Sequence, residues 1–123
     1  MNHTVKVEVD LKIPEETLKL IKQVVLEEAG KLRIEVEKII LFGSRARGDH
    51  KEESDYDILV VVKNKLDWKT KVKFYGRVHY RLVRLLNRPV DLLVFPNKWF
   101  WENARVKVTF EAEVIETGIE IPV

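Results

Sequence analysis

Three short runs, Val36–Phe42, Ile58–Val62 and Val90–Phe95, dominate the possibilities for this chain. Each is rich in Val, Ile, Leu or Phe and too short for a globular helix. Each is bounded by glycine, aspartate or proline, so each reads as a strand largely buried in a sheet. The segments between them have a helical period. Pro14 followed by Glu15 and Glu16 opens a helix with its acids at the positive end of the dipole. Leu18, Ile21, Val25 and Leu26 form its expected buried stripe, and Gly30 its stop. Asp67 is placed to cap a second helix over Trp68 to Asn87, with Phe74, Val78, Leu82 and Leu85 at helical spacing and Pro89 beyond its end. Pro96 begins another helical stretch, strongest from Arg105 to Thr117 and stopped by Gly118, before a last strand over Ile119 to Val123. Val5, Val7, Val9, Leu11 and Ile13 alternate with charged residues, so residues 1–13 read as a strand-like N-terminal extension. The expectation is an α/β (α+β) fold, a small mixed β-sheet with helices packed on it, in one domain spanning 1–123.

Composition narrows the function. The 22 basic and 20 acidic side chains leave a net charge of +2, which gives no global basic field, so direct nucleic-acid binding is not expected. The absence of cysteine excludes disulfide scaffolds, thiolate metal sites and cysteine nucleophiles. Three scattered histidines, His3, His50 and His79, have no zinc-site spacing. No run approaches membrane-spanning length and the first ten residues lack a signal-peptide core, so a cytoplasmic protein without membrane contact is expected.

The chemistry gathers at the strand ends. Asp55 and Asp57 are two residues apart at the mouth of an apolar run, a spacing that turns both toward one face of a strand. Asp91 opens another such run. If the two strands are neighbours, three carboxylates meet at one sheet end and offer hard oxygen donors suited to Mg²⁺. The alternative is three ordinary strand-end acids facing solvent or arginine. Beside them, Gly43-Ser44-Arg45-Ala46-Arg47-Gly48 follows a strand and can turn sharply, presenting free N–H groups and positive charge to an anion. Its spacing fits neither the P-loop nor the dinucleotide fingerprint.

Taken together, Leu41-Phe42-Gly43-Ser44-Arg45-Ala46-Arg47-Gly48, Ser54-Asp55-Tyr56-Asp57 and the later Asp91 resemble the minimal nucleotidyltransferases of the DNA polymerase beta superfamily. The resemblance covers about Val36 to Phe95 and makes residues 36–95 the catalytic core of a polymerase-beta-type fold. It implies that Asp55, Asp57 and Asp91 are catalytic and hold Mg²⁺, two ions in all, with Asp91 helping to deprotonate the acceptor. It implies that Gly43 and Ser44 hold the β/γ-phosphates of ATP, and that Arg47 either steadies the triphosphate or pins the loop. Family members of this size often act as antitoxins that move AMP onto a hydroxyl, typically tyrosine, of a HEPN-domain ribonuclease toxin. A binding-only antitoxin and transfer to a small molecule are the competing functions. With no room expected for an acceptor-binding domain, the partner must supply or be the acceptor.

One further feature bears on that partner. From Trp68 to Val90 there is no acidic residue, and Lys69, Lys73, Arg77 and Arg81 stand four apart on one helical stripe. Helix 68–88 is thus either a solvated face balanced by acids such as Glu15, Glu16, Glu27 and Glu28, or a docking face for the toxin.

Overall fold

The structure is a computed structural model that describes residues 14–123; the proposed N-terminal strand lies outside the described residues. In chain order the elements are α1 (Glu15–Lys31), β1 (Val36–Phe42), α2 (Ser44–Arg47), β2 (Tyr56–Val62), α3 (Trp68–Leu86), β3 (Val90–Pro96), α4 (Asn97–Ala104), α5 (Phe110–Thr117) and β4 (Ile119–Ile121). The four strands form one mixed sheet in the order β3-β2-β1-β4. β1 runs antiparallel to both β2 and β4, while β2 and β3 are parallel. Helix α3 is the crossover that parallel pairing requires. The end of β1 and the starts of β2 and β3 therefore share one edge of the sheet.

Alternation along the strands feeds two cores. Ile39, Leu41, Ile58, Val60, Val62, Leu92 and Val94 face α1 and α3. Ile40, Phe42, Leu59 and Val61 face α4 and α5, where Phe100 and Val114 close over them. Burial on both faces is why the runs of β1 and β2 lack simple polar alternation. In α3 the expected Phe74, Val78 and Leu82 are fully buried, and the Asp67 carboxylate caps the helix by accepting from the Thr70 amide at 2.8 Å. Leu85, expected in the same stripe, is half exposed, and Val83 and Leu86 of the last turn pack on the core instead.

Three other expectations are corrected. In α1 the buried residues are Ile21, Val24, Val25, Glu28 and Ala29, while Leu18 and Leu26 are only partly covered. Gly30 does not stop that helix. It continues to Lys31, and Arg33 takes the left-handed conformation (φ 58°) beyond it. The stretch 105–117 is not one helix. Thr109 interrupts it, donating its hydroxyl to the Asn103 and Val106 carbonyls (2.7 and 2.8 Å) and accepting from the Ala112 amide as the cap of α5. Gly118 ends α5 with an ordinary φ of −79°. Its need for glycine is spatial, since a Cβ there would collide with the Ile40 side chain and the Val114 carbonyl.

The basic stripe of α3 divides. Arg77 and Arg81 turn inward to Glu28 of α1, whose side chain is wholly covered, with Arg77 Nε at 2.6 Å and Arg81 at 2.8 Å. Arg81 also bridges to Glu27 at 2.9 Å. Lys69, Lys71 and Lys73 remain exposed. Burial opposes the charge on Glu28, but hydrogen bonds from Arg77 and Arg81 outweigh it and hold its pKa at about 2, against an ordinary 4.5. Because the unfolded chain takes up this proton near 4.5 and the folded chain only near 2, the contribution is complete above pH 4.5 and drains away as pH falls through that interval. Glu28→Gln should cost on the order of 2 kcal/mol at pH 7, since it leaves the Arg77 guanidinium without its counter-charge and Arg81 with Glu27 alone. Melting curves between pH 7 and 2.5 check this. The wild type should lose its advantage over Glu28→Gln across the acid interval, and parallel profiles would refute the assignment.

Candidate active site

The shared sheet edge brings the sequence-predicted residues together. Asp57 and Asp91 are direct register partners on the parallel strands β2 and β3, about 4.8 Å apart between strand axes. Both alternate with core residues that face α1 and α3, so their side chains lie on the other face, toward α4 and α5. Phe42 of β1 pairs with Asp57 in turn. The row across the sheet is thus Phe42, Asp57, Asp91. Asp55 lies one residue ahead of β2, exposed, and Tyr56 between the two acids is buried on the opposite face.

Burial pushes the Asp57 pKa up to about 6, helped by the charges of Asp91 and Asp55 and partly offset by Arg47. Asp91, Asp55 and Arg47 therefore all act on Asp57. Yet among the described residues no three acidic or histidine side chains are drawn into a ready metal cage. Mutual repulsion is the physical reason such groups stay apart. A Mg²⁺ shell also needs only one or two protein carboxylates beside phosphate and water oxygens.

Gly43 connects these acids to the turn. Its φ of 77° and ψ of −157° belong to a region open essentially only to glycine. A Cβ at this position would overlap the Asp57 carboxylate. The backbone at residue 43 therefore lies directly against that carboxylate, close enough for one ligand to touch both. The Gly43 carbonyl accepts from the Ala46 and Arg47 amides, forming the short turn α2, and Gly48 releases the chain in the left-handed region at φ 87°. Ser44 is the first residue of that turn, where amides lie outside the helical ladder.

The two arginines of the turn separate in role. Arg45 is buried and donates to the carbonyls of Glu52 and Ser54. Arg47 is exposed, pairs weakly with Asp49 at 3.4 Å and lies within electrostatic reach of Asp57. Pinning of the loop thus falls to Arg45, which the motif left as an arbitrary position. The signal was available in the helical period, since residues two apart in a helical turn point in nearly opposite directions. His50 lines a depression of about 580 Å³ beside Tyr56, on the side of β2 away from Asp57.

Oxygen donors on adjoining strands beside a glycine turn are groups able to meet a metal-bound polyphosphate, and comparison with known proteins shows the family. A family model described as "Polymerase beta, Nucleotidyltransferase" matches residues 21–121, and the chain belongs to that nucleotidyltransferase family. It is 31% identical over 106 residues to "Putative protein adenylyltransferase MJ0141" of Methanocaldococcus jannaschii, covering 86% of this chain and 99% of that protein. A second protein of that organism, "Putative protein adenylyltransferase MJ0604", is 35% identical over 100 residues, covering 81% and 92%. Among solved structures, a "putative minimal nucleotidyltransferase" superposes with a TM-score of 0.55 at 23% identity, over 88% of this chain and 96% of its own. A crystal structure of a toxin-antitoxin with AMP-PNP gives 0.53 at 22%, over 80% and 70%. These two share the fold.

Proposed function

We propose that this nucleotidyltransferase moves AMP from ATP to a tyrosine hydroxyl of a HEPN-domain toxin and thereby acts as its antitoxin. One observation carries the reading: the Gly43 backbone abuts the Asp57 carboxylate, with Asp91 in register on the next strand. The adenylyltransferase names of the two relatives support the choice of nucleotide and of a protein acceptor.

In this reading Asp55, Asp57 and Asp91 hold Mg²⁺. The hard-oxygen donor set fits that ion, as does the open glycine turn. When bound, it neutralises the triphosphate and lowers the pKa of the attacking hydroxyl. Gly43 and Ser44 receive the β- and γ-phosphates against the turn. Arg47, with only a weak partner among the described residues, steadies the triphosphate. Asp91 is exposed at the sheet edge and takes the proton of the acceptor hydroxyl. The acceptor oxygen forms a bond to the α-phosphorus, the bond to the bridging oxygen breaks, and pyrophosphate leaves. The toxin docks in part on α3, where Lys69 and Lys73 remain outward.

Intact-mass analysis of a HEPN protein encoded beside this chain, incubated with it, ATP and Mg²⁺, tests the proposal. A gain of about 0.3 kDa per AMP is expected, dependent on the metal. A complex that neutralises the toxin with no mass gain would replace this reading with steric masking.

A further inference from the structure

The loop from Gly48 to Asp55 carries one of the three carboxylates on exposed chain, outside any strand. An unpinned residue of this kind has conformational freedom worth about 1–2 kcal/mol, which a ligand must remove on binding. Here that freedom is already restricted. The Ser54 carbonyl accepts from Arg45 through Nε at 3.1 Å and a terminal nitrogen at 2.9 Å. The Glu52 carbonyl accepts from Arg45 at 2.8 Å and from Arg88 Nε at 2.7 Å. The Arg45 guanidinium also lies 4.0 Å from the centre of the Tyr56 ring. On the other side of Asp55, the Tyr56 amide donates to the Pro89 carbonyl at 3.0 Å. Peptide planarity makes this decisive. The Ser54–Asp55 plane is held through its carbonyl and the Asp55–Tyr56 plane through its amide, so both planes flanking Asp55 are fixed.

We infer that Arg45 and Arg88 are positioning residues, which grip the Glu52 and Ser54 carbonyls just ahead of Asp55 so that Asp55 is preset beside Asp57 for the metal–triphosphate. The inference rests on the proposed function and assigns two residues that touch neither nucleotide nor metal. Arg45 acts from the glycine turn and Arg88 from the approach to β3. Together they tie the three strand ends of the site to one another at the Glu52 carbonyl. Arg88 belongs to the basic run of the sequence, but its Nε and one terminal nitrogen bond backbone carbonyls, those of Glu52 and Asn87.

Arg45 is buried, so its replacement risks the fold, and the partly exposed Arg88 gives the cleaner test. Arg88→Ala and Arg88→Lys should be compared with wild type by electron paramagnetic resonance titration of Mn²⁺ in the presence of AMP-PNP, and by amide hydrogen exchange. Arg88→Ala should raise the Mn²⁺ dissociation constant about tenfold, the lower end of the range for residues that orient metal ligands. Faster exchange should be confined to residues 49–56, and Arg88→Lys, which keeps a donor, should recover most of the affinity. Unchanged Mn²⁺ affinity in Arg88→Ala, with wild type binding normally, would overturn the positioning role alone. Failure of the wild type to bind Mn²⁺ with AMP-PNP would overturn the proposed function and this inference together.

Discussion

Asp57→Asn is expected to abolish nucleotidyl transfer and leave the fold as stable as wild type or more so. The carboxylate is half-buried in a row with Asp91, and burial together with Asp91 and Asp55 raises its pKa to about 6. At pH 7 it is ionised against that environment, so the folded protein carries an electrostatic cost there. The folded pKa exceeds the unfolded value near 3.8, so this group favours folding more as pH falls from about 6 toward 3.8 and less as pH rises. Asparagine keeps the shape and removes the charge. A gain on the order of 1–2 kcal/mol at pH 7 follows. Under the proposed function, transfer in contrast loses a carboxylate that would hold the metal bridging to the triphosphate, a loss of several kcal/mol of transition-state stabilisation, or about 10³-fold or more in rate. Thermal melts at pH 7 and a transfer assay with labelled ATP read the two effects. Loss of activity accompanied by a large fall in melting temperature would show that Asp57 serves the fold instead.

Gly43→Ala is expected to be costly twice over. Its backbone conformation admits a side chain only with strain of about 1–3 kcal/mol. The added methyl would also displace the Asp57 carboxylate. Melting should fall by roughly 5–10 °C for a chain of this size, and transfer by at least about 100-fold. The two sources separate in a double-mutant cycle. Asp57→Ala removes the carboxylate that the methyl meets, leaving only the nearby Asp57 Cβ at 3.3 Å. Gly43→Ala should then be less destabilising in the Asp57→Ala background than in wild type. Strict additivity would mean that residue 43 and the carboxylate do not touch.

The strands, and the glycine and aspartates at their ends, were readable in the sequence because both depend on local signals. Val36–Phe42 and Val90–Phe95 can bury themselves only in a sheet, and the glycine and aspartates at their ends depart from what a core strand needs. The pairing of strands was not readable, because nothing within β2 states that it runs antiparallel to β1 and parallel to β3. Yet that pairing alone places Asp91 beside Asp57. The charge pattern of α3 left two readings open, and balance by acids such as Glu27 and Glu28 is the one that Arg77 and Arg81 follow. Arg77 and Arg81 share a stripe with Lys69 and Lys73, but the crossing of α1 turns the first pair inward onto Glu28. Glu28 continues the Ile21 and Val25 stripe by helical period while Glu27 lies off it, but a charged residue on that stripe reads, with its neighbour, as a solvated acid. The break between α4 and α5 depends on a threonine hydroxyl reaching back six residues, a contact that periodicity does not encode. The sequence offers loop pinning to Arg47, and only the turn shows that Arg45 performs it.

Anomalous scattering from crystals grown with Mn²⁺ and AMP-PNP is the direct measurement. Metal peaks are expected in contact with Asp55, Asp57 and Asp91, with the β- and γ-phosphates against Gly43 and Ser44. Manganese bound elsewhere, or a nucleotide seated away from that turn, would contradict the assignment of this sheet edge as the catalytic centre.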